Sequence, residues 1–144
     1  MDADDLRQQV SAARARLIAS LEGASESDFN ADLEPGVTVV GALADLARRQ
    51  RAALEDARRL AELAPRPSPV AHGDATRRLT PPPVVHDLAG AHHEAILLID
   101  ALAALDPAQT GVARAAGDTL LAVIGEERAL ADRIALRIGR TPAA

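Results

Sequence analysis

Residues 33–63 read LEPGVTVVGALADLARRQRAALEDARRLAEL. The stretch opens on a turn, Glu34-Pro35-Gly36, after which Thr38 offers a hydroxyl to the first free N–H groups of a helix. Val39, Leu43, Leu46, Ala53, Ala57 and Leu60 then follow at steps of 4, 3, 7, 4 and 3, which puts them on one helical face. Gln50 interrupts that face between Leu46 and Ala53, and Asp45 borders it one turn earlier. The helix is expected to end near Ala64, because Pro65 disfavours helical geometry in the residue before it.

The same period recurs on both sides. A first helix is predicted over about Asp4–Leu21, with Leu6, Val10, Ala13, Leu17 and Leu21 inward and Arg7, Arg14 and Arg16 outward. Gly23 is its C-cap, residues 25–28 form a turn or one helical turn, and Phe29 plugs the end of the bundle. Residues 65–83 are too rich in proline for regular structure and read as a crossover, long enough to run back along a bundle and leave the helices on either side parallel. A third helix is predicted over about Pro82–Leu105, its stripe Val85, Leu88, His92, Ala95 or Ile96, Ile99 and Leu102. Residues 108–117 carry two glycines and read as a loop with one turn. A fourth helix, capped by Asp118 or Thr119, runs to about Ile138 with Leu120, Ile124, Glu127, Ala131, Ile134 and Ile138 inward. The expected fold is all-α: one domain over residues 1–144, a four-helix bundle with a long Pro-rich crossover between helices two and three.

Composition narrows the chemistry. The 144 residues are 48% apolar, mostly Ala and Leu, with one Phe and no Tyr, Trp or Cys. Disulfides, thiol nucleophiles and cysteine metal sites are excluded, and the stacking platforms of single-strand binders are missing. A net charge of −5 argues against a nucleic-acid partner. The acidic start, MDADDLRQQ, does not read as a signal peptide, and no apolar run reaches membrane-span length, so a cytoplasmic location away from the membrane is expected.

Three apolar stripes each hold one polar residue near mid-helix: Gln50, His92 and Glu127. Inward carboxylates and imidazoles on neighbouring helices are how bundles build metal sites, which makes Asp45, His92 and Glu127 candidate ligands for a divalent metal and Gln50 a pocket residue. The alternative is a satisfied polar cluster without metal, its long side chains reaching solvent. His86 and His93 share a wetted flank, and His72 stands alone in the crossover. Arg48, Arg49, Arg51, Arg58 and Arg59 read as a solvated outer face, paired through Glu55, with Arg128 paired to Asp132. An anion site near the bundle mouth is the other reading of those arginines.

The phrases LEPGVTVVGALADLARRQRAAL, ARARLIASLEGASESDF and TPPPVVHDLAGAHHEAILLIDAL resemble the DinB-like (YfiT-like) four-helix bundles, which include the N-terminal domain of mycothiol-dependent maleylpyruvate isomerases. The resemblance covers most of the chain and implies a bundle with a long crossover between helices two and three. It also implies a metal site made by one His early in helix two and a His-x-x-x-His pair in helix four. Those positions fall on Asp45, and on Glu127 and Ala131; none is His, and Ala131 cannot ligate. The expectation is therefore a bundle with a degenerate metal site and no resident cofactor, acting as a non-catalytic small-molecule-binding or stress-associated protein and forming a homodimer. One alternative is a thiol transferase or isomerase using zinc or nickel on a remodelled Asp45/His92/Glu127 site. The other is a structural dimerisation module.

Overall fold

In the computed structural model, which describes residues 2–63, 81–105 and 107–139, the Thr38 hydroxyl accepts the N–H of Gly41 at 3.1 Å and opens the expected helix. The elements are α1 (Ala3–Leu21), α2 (Glu26–Phe29), β1 (Asp32–Glu34), β2 (Val37–Thr38), α3 (Val39–Leu60), α4 (Pro81–Ala103) and α5 (Thr110–Arg137). The single turn α2 is closed by a capping box between Ser25 and Asp28. Helices α1, α3, α4 and α5 pack as the four-helix bundle.

Three boundaries differ from the sequence reading. Helix α3 stops at Leu60, not Ala64: Glu62 turns left-handed at φ 59°, and Leu63 donates back to the carbonyl of Arg58 at 2.8 Å. Leu63 packs on the core as it does so, the apolar contact that accompanies such a helix end. Residues 110–117 belong to α5 and are not a loop. Gly111 and Gly117 each cost roughly 1 kcal/mol of helix propensity, but Ala116 is fully buried (0% exposed) beside α1, and that packing decides. The turn at Pro35-Gly36 is flanked by a two-stranded antiparallel hairpin that no strand signal announced; Gly36 takes φ 82° at its tip. Arg137 donates to the Asp32 carbonyl at 2.8 Å and fastens this hairpin to α5.

In the bundle α1 lies against α4 and α5, and α3 lies against the same two. Arg51 reaches the Asp87 carbonyl and Arg58 reaches Glu94, one heptad on along both helices, so α3 and α4 run parallel. Arg14 reaches Glu127 and Arg16 reaches Asp132, so α1 and α5 run parallel too. The helices on either side of the connection are thus parallel, as expected. Of the Pro-rich connection expected over 65–83, residues 65–80, His72 among them, lie outside the described residues, and 81–83 belong instead to the first turn of α4, where proline is tolerated.

The core has two apolar parts. One gathers Leu6 and Val10 of α1, Leu54 of α3, Leu98 and Ile99 of α4, and Leu120 of α5. The other gathers Leu17, Leu43, Leu88, Leu130 and Ile134, with Phe29 packed on it as expected. The stripes drift as they cross the bundle. In α3 the heptad from Val39 to Leu60 turns away from the core by roughly 20° per heptad. Leu60 is therefore 43% exposed, and Leu54 and Ala61 take the buried face. In α4 the buried line runs through Val84, Ala91 and Leu98, which leaves Val85 45% exposed and His92 at the stripe edge.

Candidate functional site

Between the two apolar parts of the core lies a polar layer to which all four helices contribute. Arg14 comes from α1, Gln50 from α3, the Leu88 carbonyl and His92 from α4, and Glu127 from α5. Arg14 and Glu127 are 7% and 3% exposed. The Arg14 guanidinium forks onto the carboxylate, with Nε 3.3 Å from Glu127 Oε2 and Nη2 3.2 Å from Oε1. Its Nη2 also donates to Gln50 Oε1 at 3.0 Å, and its Nη1 to the Leu88 carbonyl at 2.6 Å. Gln50 Nε2 donates in turn to Glu127 Oε1, which closes the ring. A buried ion pair persists when its remaining donors and acceptors are satisfied in this way.

A cavity of about 30 Å3 opens beside the network, with Arg14, Gln50, His92 and Glu127 on its polar side and Val10 and Leu54 among its apolar walls. That is room for about one water molecule. His92 is half-buried there, and burial lowers its pKa below the usual imidazole value. The Arg14 charge lowers it further, Glu127 acts in the opposite sense, and His93 adds a small lowering. The neutral form of His92 is therefore favoured.

The structure thus brings Gln50, His92 and Glu127 to one cavity, as their positions in the stripes suggest. It places Asp45 elsewhere. Asp45 pairs with Arg48 and, at 2.7 Å, with Arg49, and it lines an open groove of about 760 Å3 between the hairpin, α3 and α5. The donor set at the bundle centre does not fit a divalent cation. Both Glu127 oxygens already accept N–H bonds from a guanidinium, whose charge would repel a metal, and Ala131 is buried without a ligating atom. Among the described residues no group of three or more His, Cys, Asp or Glu is placed to hold one.

Arg14 is the member of this layer that sequence reasoning missed, having been assigned outward. The signal was present: Val10, Ala13, Arg14 and Leu17 form an i, i+3, i+4, i+7 set, and a core-facing stripe is wide enough to include its fourth member. Arg58 is a second correction. It is buried against Glu94 (3.6 Å) and does not belong to a solvated outer face. Arg51, half-buried, donates to the Asp87 carbonyl at 3.2 Å. Arg59 pairs with Asp56 and Asp132 with Arg16, in place of the expected Glu55 and Arg128 partners. His86 and His93 are exposed, in keeping with a wetted flank.

In the open groove Arg49 pairs with Asp45 and Glu126, and Arg133 with Glu34 at 3.7 Å, so its acids offset the charge an anion would seek. The large apolar side chains left exposed, Ile18, Leu60, Val85 and Leu136, sit one on each long helix. Among the described residues no helix is long and apolar enough to cross a membrane. Comparison of the chain with protein-family models, with curated proteins and with solved structures gives no match.

Proposed function

We propose that the chain is a DinB-like bundle that works by binding a small molecule and carries no metal centre. One observation carries this reading: the Arg14 guanidinium is inserted among the polar residues at the level where the resemblance would put a metal. Four of the five N–H groups of the Arg14 guanidinium are taken up by Glu127, Gln50 and a main-chain carbonyl, so the Glu127 carboxylate is already engaged, and His92 beside a one-water cavity has little space for a substrate. The centre then serves as a structural tie, and a ligand must be held elsewhere between the helices.

The test is metal retention. Protein purified without a His tag is loaded with zinc, nickel or manganese, dialysed, and assayed for bound metal. Less than about a tenth of an equivalent is expected. One equivalent that is retained by the wild type and lost in Glu127→Ala would refute the reading and restore the metal-dependent transferase in its place.

A further inference from the structure

A second cavity, away from the polar layer, lies where α1 begins, α4 ends and α5 passes its first turns. Its volume is about 170 Å3. The inner wall is Leu6, Ile99, Leu102 and Leu121, and the space exists because Ala3, Ala103, Ala113 and Gly117 bring almost no side chain to the same level. The polar residues on it, Asp2, Arg114 and Asp118, are all exposed and so belong to the rim. Asp2 is already engaged as the N-cap of α1, accepting the Asp5 N–H at 2.8 Å.

We propose that this cavity is a binding site for one small, uncharged apolar molecule of about the size of a substituted benzene. The inference rests on the ligand-binding reading above and gives it a place and a chemical class. The pocket opens to solvent along its rim, and its volume is of the order of the ~150 Å3 that accommodates benzene in an engineered apolar cavity. The inner wall is mainly apolar, and an apolar guest there packs against four branched side chains. Two carboxylates against one guanidinium at the rim give the mouth no preference for an anion.

Toluene is the probe and methyl NMR the readout. The single aromatic residue, Phe29, packs on the other part of the core, so ring-current shifts near this cavity report the guest and not the protein. Saturating, one-to-one shifts are expected on the methyls of Leu6, Ile99, Leu102 and Leu121, together with a rise in Tm. Benzoate at the same concentration is expected to give neither. Gly117→Ala adds one methyl to the wall at ordinary contact distance from Leu6 (3.7 Å) and improves helix propensity, so it should fold. It is expected to weaken toluene about tenfold, and Ala113→Leu to abolish binding.

Unshifted methyls in the wild type would overturn the inference. So would shifts centred on Val10 and Leu54 at the central cavity, binding that survives Ala113→Leu, or benzoate binding as well as toluene. None of these outcomes bears on metal retention, so a failure here is distinguishable from a failure of the reading on which it rests.

Discussion

Removing the Glu127 carboxylate should be the most damaging single change in the bundle centre. Glu127→Leu keeps about the same volume and takes away two of the four hydrogen bonds that Arg14 donates, together with the one accepted from Gln50 Nε2. Arg14, 7% exposed, is left as a buried cation facing two neutral oxygens. Breaking such a pair from one side costs about 3–5 kcal/mol. A domain has about 5–15 kcal/mol in all, so a large share goes, and Tm should fall by roughly 10–20 °C. The triple change Arg14→Met, Gln50→Leu and Glu127→Leu removes every polar member and should recover to within about 1 kcal/mol of the wild type or exceed it. Urea unfolding followed by circular dichroism at 222 nm gives each value. A cost below about 1 kcal/mol for Glu127→Leu would mean that the side chain reaches solvent. Additive losses in Arg14→Met and Glu127→Leu would mean that the two do not interact. Either result refutes the network.

His92 predicts a pH dependence with a definite sign. Its folded pKa is lowered, chiefly by burial, so the unfolded chain takes up a proton first as pH falls below about 6.5. The stability it contributes is complete above the unfolded pKa and is lost as pH falls toward the folded one. His92→Gln should therefore flatten the fall in urea midpoint between about pH 7.5 and 5.5, and an unchanged slope would refute the assignment. Thr38→Ala removes the cap of α3 and should cost about 1 kcal/mol in the same assay; no loss would mean that the hairpin alone sets the helix start. Glu62→Gly relieves the left-handed residue at φ 59° and should gain about 1 kcal/mol, read as a higher Tm; a loss would show that the Glu62 side chain is needed there.

The bundle was legible because Ala and Leu recur with helical period in four long segments, and because a Pro-rich stretch separates the middle two. Thr38 as N-cap and the mid-stripe position of Gln50 and Glu127 were legible for the same reason. The errors have physical causes. A seven-residue apolar repeat drifts across a straight helix, which is why Leu60 and Val85 left the core and Leu54 and Val84 entered it. Local propensity marked residues 108–117 as a loop, whereas burial of Ala116 is a tertiary effect that a window of ten residues does not contain. Charge hid Arg14 and Arg58. Arginine is so seldom buried that position in the stripe was discounted, and the partners that make burial tolerable, Glu127 and Glu94, lie on other helices.

That last point bears on why the layer is there at all. The two apolar parts of the core are built from Leu, Ala, Val and Ile with one Phe against them, side chains that carry no polar group to fix one offset over another. Sliding α1 by one turn along α5 would bring Arg14 level with Val123 or Ala131 and would strand a cation and a carboxylate in apolar surroundings. After such a slide apolar side chains would still meet apolar side chains, whereas Arg14 and Glu127 would lose each other. The network then contributes less to the depth of the native state than to the gap above its shifted neighbours, a role best attested for single polar residues in coiled coils. The triple apolar variant separates the two quantities. Stability should hold, while methyl signals broaden or double if the offsets become comparable in energy, and a single sharp set of signals would show that the apolar side chains fix the register unaided.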